Sequence, residues 1–188
     1  YSWILLAANS SLSVKLFEPD PANQRLIGKT IRRNRITQAE LDPRAISDSS
    51  GKTNFLLDEH SGATGQFAHL YDNNEASIAK SYALSKIIEV ETTTLDAIVA
   101  EGAPPPDLMK IDVEEAEELV LNGAINLIEN HCPVIVMESF LEDALKTLSH
   151  HNYRSFQLDE HHNFICLPEP IDHRLHTVIE RLAPWHPR

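Results

Sequence analysis

Positive charge, cysteine and long apolar runs are what this sequence has least of, and each shortage removes a class of function. Against 28 Asp and Glu stand only 16 Lys and Arg, a formal net charge of −12. A phosphate backbone is bound by displacing its counterions with Lys and Arg, so nucleic acid is not an expected partner. The acids are spread along the chain and read as a solubilising surface. Cys132 and Cys166, each beside or inside a probable strand, form no disulfide framework. Their scarcity points to a reducing compartment, the cytoplasm, and to thiols packed as small hydrophobes. No apolar run approaches the ~20 residues needed to cross a bilayer, so no membrane span is expected. Internal repeats and low-complexity segments are missing too.

What is present is enough for one domain over residues 1–188 with a sizeable core. Its organising stretch is 107–117, Asp-Leu-Met-Lys-Ile-Asp-Val-Glu-Glu-Ala-Glu. Leu108, Met109 and Ile111 predict a short buried strand. Ala116, Leu119, Val120, Ala124, Leu127 and Ile128 recur at helical spacing and predict one helix after it. Asp112 and Glu114 fall at the turn between them, the carboxyl end of a strand, where open α/β sheets bind their ligands.

The flanking segments alternate in the same way. Residues 1–8 read as the end of a helix, so the natural N-terminus is expected upstream of Tyr1. Residues 13–17 predict a strand closed by Glu18-Pro19-Asp20-Pro21, with Asp20 as helix cap and Pro21 at the first helical position. That helix should end near 33–35. Residues 44–48, Arg-Ala-Ile-Ser-Asp, predict a strand ending in an acid, and Ser49-Ser50-Gly51 a turn. Residues 52–57 suit an extra strand or hairpin arm. From 58 to 81 the pattern dissolves into a polar loop, either a substrate lid or a surface excursion. A strand over 86–91 precedes a Thr-x-x-Asp cap from Thr93 to Asp96 and a helix over 95–100 stopped by Gly102. Residues 133–138 predict a strand, 141–148 a helix, 153–158 and 163–167 strands, and Asp172 a cap for a last helix through Leu182. Strands alternating with helices make the fold class α/β with a mostly parallel sheet. The final strand pair, joined by a few polar residues, must be antiparallel.

Phe17-Glu18-Pro19-Asp20-Pro21, Ala45-Ile-Ser-Asp48, Thr93-Thr-Leu-Asp96, Lys110-Ile-Asp-Val-Glu114 and Val136-Met-Glu138 occur in the order and at the spacing of the FkbM-type methyltransferases. The chain resembles that family over nearly its whole length. The resemblance implies a Rossmann-like class I methyltransferase fold, S-adenosylmethionine as cofactor, and O-methylation of a hydroxyl on a small molecule, sugar, polyketide or lipid. Two departures accompany it. The family's glycine-rich strand-turn would lie before Tyr1 and is not in the sequence, so the sheet is expected to lack its N-terminal, central strand. Glu115 stands where the family pattern has glycine, which tolerates positive φ and close approach. A glutamate there narrows the space and adds charge.

By the same resemblance Glu18 would accept the ribose hydroxyls of an adenosine cofactor; otherwise it is a cap or surface acid. Ser47 and Asp48 would edge the adenine, or else form an ordinary turn. Asp112, Glu114 and Glu138 are the catalytic candidates. In methyl transfer an oxygen attacks in line the methyl of a sulfonium, so a base should take or orient the hydroxyl proton. Positioning supplies much of the acceleration. Asp112 suits either the methionine ammonium or the role of base. Lys110, in a buried strand, should pair with one of these acids. His60 is a second base candidate. Among ten histidines, His150-His151, His161-His162 and His173-x-x-His176 match no zinc pattern, and no metal is expected. Two other functions fit the residues. An acid after a strand also suits the ribose of NAD in a Rossmann oxidoreductase, and Glu115 suits a catalytically inactive relative that keeps the fold as a binding module. The residues name neither the acceptor nor an oligomeric state.

Overall fold

A computed structural model describes residues 2–58, 66–67, 85–113 and 115–186. Its first elements follow local chemistry. Helix α1 (Ser2–Ala8) leads to strand β1 (Val14–Phe17), and Glu18-Pro19-Asp20 turns the chain into α2 (Pro21–Asn34). The Asp20 carboxylate accepts the Ala22 N–H at 2.7 Å, and Pro21 occupies the position where a missing N–H costs nothing. Arg35 ends the helix at φ 54°, and the Ile36 N–H returns to the Ile31 carbonyl.

The chain then forms β2 (Ala39–Asp42), parallel to β1 from Val14↔Ala39 to Phe17↔Asp42. Sequence alone predicts one strand over 44–48; the structure has β2 and a separate β3 (Ala45–Ile46). The two are divided at Pro43, which lacks the N–H that a ladder needs, and the polar alternation Ala-Glu-Leu-Asp conceals the first of them. Arg44 braces this break. Its guanidinium reaches Asp42 at 2.7 Å and Glu101 at 3.2 Å. Burial alone would raise the Asp42 carboxyl, but the hydrogen bonds and charge of Arg44 outweigh it and hold the group below the usual carboxylate range.

Strands β4 (Gly51–Asp58) and β6 (Ser85–Thr93) form a long antiparallel ladder, from Gly51↔Thr92 to Asp58↔Ser85. The short β5 (Gln66–Phe67) pairs with β4, and β3 runs parallel to β6. Residues 52–57 are thus the hairpin arm that their sequence suits. The loop expected over 58–81 falls, except at 58 and 66–67, outside the described residues, and so does His60. Phe55 and Phe67 meet edge to face at 5.9 Å within a small core completed by Ala45, Val90 and Ala116.

The third sheet comprises β7 (Leu108–Ile111), β8 (Val134–Glu138), β9 (Tyr153–Gln157), β10 (Asn163–Pro168) and β11 (Ala183–Pro184). Their spatial order is β7-β8-β10-β9-β11. β7 and β8 are parallel, whereas β10 is antiparallel to both β8 and β9, as the short final connection requires. The expected single sheet is therefore divided in three. Among the described residues β1 pairs only with β2, and β7 only with β8.

Alternation along the third sheet sends Met109, Ile111, Ile135, Met137, Phe164 and Cys166 to one face. There they pack against α4 (Glu117–Asn122), α5 (Ile125–His131) and α6 (Glu142–His150). The single helix predicted across 116–128 is broken at Gly123, and the reason is steric. A Cβ on Gly123 would lie 2.0 Å from the Ser47 carbonyl oxygen, so helix and strand end meet backbone to backbone. Beside the break, helix α3 (Leu95–Ala100) is capped by Thr94, whose hydroxyl accepts the Ala97 N–H at 2.9 Å. Thr93, the residue predicted for that cap, is the buried end of β6. Asp96 serves the next helix instead, accepting the Asn126 and Leu127 N–H groups at the start of α5.

The remaining corrections are small. Cys166 is buried, its thiol pushed up to about 12 by desolvation, but Cys132 is exposed at a left-handed helix end rather than packed as a hydrophobe. Asp172 caps a 3-10 turn (His173–Leu175) leading into the short α7 (His176–Ile179), because the chain must leave the helix to pair β11 with β9. No described helix is long and apolar enough to cross a membrane.

Two glycines make opposite predictions. Gly123→Ala forces a methyl onto a backbone oxygen and should destabilise the fold by about 1–3 kcal/mol or more, read as a lower denaturant midpoint. Gly28→Ala, whose new methyl meets only the flexible end of Arg32 inside α2, should gain about 0.5–1 kcal/mol.

Candidate functional site

The end of β3 is held by close backbone contacts. The Ser47 N–H donates to the Thr93 carbonyl at 2.9 Å, and Gly123 backs its own carbonyl. A cavity of about 290 Å³ opens here, lined by Ser47, Asp48, Ser50, Thr53, Thr92 and Leu119 among others. Asp48 Oδ1 accepts the Ser47 hydroxyl at 3.3 Å and the Ser49 hydroxyl at 2.9 Å. The lining is hydroxyl-rich with one apolar wall from α4.

A second group forms where β7 and β8 end. The register Ile111↔Met137 sets Asp112 next to Glu138, one step further along adjacent parallel strands. Inward alternation of Ile111 and Met137 leaves Lys110, Asp112, Val136 and Glu138 on the opposite face from the core. Lys110 Nζ lies 3.2 Å from Asp112 Oδ2, the ion pair its strand position demands. With Asp112 half exposed, that pair orients the carboxylate more than it stabilises the fold.

Glu114 falls outside the described residues. Glu115 takes φ 67°, the left-handed conformation that favours glycine and that costs other residues on the order of 1–3 kcal/mol. Its side chain is exposed. Glu117, which sequence reasoning passed over, is only 4% exposed. The signal was available: an acid stands in the helical stripe shared with Val120, Leu121 and Ala124.

Glu18 closes β1, its N–H donating to the Asp42 carbonyl at 3.1 Å. Its Oε1 accepts the Asp20 N–H at 2.9 Å, and its Oε2 faces the Asn23 amide at 3.3 Å. Burial pushes this carboxyl above its ordinary range, and the Asp20 and Asn23 hydrogen bonds reduce the shift without cancelling it. A desolvated acid at a strand end marks a candidate site. The cavity thus unites Ser47 with Asp48, and strand register unites Asp112 with Glu138. Glu18 stands at the end of a separate sheet and does not line the cavity. Among the described residues no group of three or more His, Cys, Asp or Glu is arranged to hold a metal ion.

Comparison with known proteins bears on this arrangement. The family model described as the methyltransferase FkbM domain matches residues 3–165. No curated protein matches significantly. Among solved structures, the chain is similar to the methyltransferase FkbM from Methylobacillus flagellatus KT, with a TM-score of 0.57 and 14% sequence identity. The likeness covers 87% of this chain but 39% of that one, and it concerns the fold alone.

Glu18 gives a pH test. The folded state holds its proton to a higher pH than the unfolded chain does, so its contribution to stability is full at low pH and is lost as pH rises past the ordinary carboxylate range. Glu18→Gln removes this dependence. The melting temperature of the variant relative to the unmodified chain should rise between about pH 4 and about pH 7; a constant difference would contradict the assignment.

Proposed function

Because the chain belongs to the FkbM methyltransferase family, we propose that it is an S-adenosylmethionine-dependent O-methyltransferase domain acting on a hydroxyl of a small molecule. The observation that carries this reading is the placement of Glu18 at the end of β1, with its carboxylate held by the Asp20 N–H and the Asn23 amide.

The donor set fits the cofactor. Hydroxyls of Ser47, Ser50 and Thr53 and the Asp48 carboxylate offer hydrogen bonds to the edge of an adenine, and Leu119 an apolar wall for its face. The two oxygens of Glu18, oriented by Asp20 and Asn23, suit a vicinal diol. Asp112, held by Lys110, carries the charge that complements an ammonium. When bound, S-adenosylmethionine supplies an electrophilic methyl on a positively charged sulfur.

Glu138, neighbour to Asp112, orients the acceptor hydroxyl and takes its proton, a contribution on the order of 10²–10⁴ in rate. Glu114 joins it on sequence position. Acids along this edge hold the acceptor oxygen in line and favour a neutral acceptor over an anionic one. Two free cysteines, one of them exposed, support a reducing compartment such as the cytoplasm.

Calorimetry with S-adenosylhomocysteine tests the assignment. Binding should be saturable, and Glu18→Ala and Asp48→Ala should each weaken it by about tenfold or more, the worth of a lost charge-assisted hydrogen bond. Binding of NAD without S-adenosylhomocysteine would instead establish the oxidoreductase reading.

A further inference from the structure

Past Glu138 the chain runs Ser139-Phe140-Leu141 before α6, and this tripeptide is locked in place. Ser139 is 3% exposed; its N–H donates to the His162 carbonyl at 3.0 Å and its hydroxyl to the Leu141 carbonyl at 2.9 Å. Yet the two residues it fixes face outward, Phe140 at 61% exposure and Leu141 at 49%. Hydrogen-bonded backbone beside exposed apolar side chains describes a surface that suits contact with a ligand.

The opposite side comes from the β9–β10 turn. His162 takes φ 61°, uncommon for a residue with a side chain, and its ring lies 4.8 Å from that of Phe140, tilted by 44°. Asn163, next in the chain, is the register partner of Glu138. The two rings therefore form a shelf at the same strand end as Asp112 and Glu138.

Nearby polar groups are engaged with one another. The Asn163 amide donates to both oxygens of Asp159, at 3.3 and 3.1 Å. Asp159 also accepts the N–H groups of His161 and Asn163. A polyhydroxylated ring would need several such partners, whereas a flat apolar ring needs only the two rings and Leu141. The adjoining acids disfavour an anion.

We propose that Phe140, Leu141 and His162 form the acceptor subsite and that it takes a neutral phenolic ring, whose hydroxyl points back toward Glu138. This rests on the methyltransferase reading above. The exposed faces and edges of the two rings suit the packing of a further aromatic ring, worth more than the burial of an alkyl body of the same area.

The test titrates 4-methylphenol into the full chain with saturating S-adenosylhomocysteine, observing the His162 Cε1–H resonance by NMR. A saturable shift is expected, weakened roughly fivefold in Phe140→Ala and less in Phe140→Tyr, with unchanged melting temperature and S-adenosylhomocysteine affinity. A shift indifferent to Phe140→Ala, or tighter binding of 1-hexanol or methyl glucoside, would overturn the subsite. Loss of S-adenosylhomocysteine binding with the 4-methylphenol response intact would count against the cofactor reading and leave the subsite standing.

Discussion

Where Gly123 meets the Ser47 carbonyl, two pieces of backbone approach so closely that no side chain fits between them. The contact fixes the end of β3 against the break between α4 and α5, and therefore against the helices that cover β7 and β8. Further hydrogen bonds surround it. Asp96 N–H reaches the Gly123 carbonyl, the Asp96 carboxylate caps α5, and Ser47 N–H joins the end of β6. Among the described residues the three sheets share no ladder, and this junction and the Arg44 brace are two of the contacts between them.

Three groups near strand ends are ones that the fold would be more comfortable without. Glu18 is a half-buried acid, Glu115 a glutamate in glycine's conformation, and Phe140 a large apolar side chain left outside the core. Each is unfavourable locally, and each lies at or just beyond the carboxyl end of a strand. Such local violations of folding rules are expected where function rather than stability has selected the residue. By contrast, β7 and β8 themselves send only apolar side chains to the core, Met109, Ile111, Ile135 and Met137.

How much of this the chain discloses in advance depends on the range of the interaction. The turn at Glu18 to Pro21 was legible because a cap and a proline act within a few residues. At the turn after β7 the family resemblance marked Glu115 as standing where glycine is usual, and its φ is positive. The break at Gly123 was not, because apolar spacing continues through it and its cause is a carbonyl far away in sequence. Thr93 and Thr94 are indistinguishable as caps until β6 claims the first of them. Strand β2 was hidden by its polar alternation, and the Phe140–His162 shelf joins two loops that nothing local connects. At the site, Ser47, Asp48, Asp112 and Glu138 could be chosen as strand ends, but their grouping into a cavity and a register pair required the sheet order.

The central claim is that strand-end acids and the cavity at β3 together hold an adenosyl group. A crystal structure of the chain grown with S-adenosylhomocysteine measures this most directly. The account predicts the adenine among residues 47–53 and both ribose hydroxyls on Glu18. Adenosine bound elsewhere, with Glu18 still turned only to Asp20 and Asn23, would contradict it.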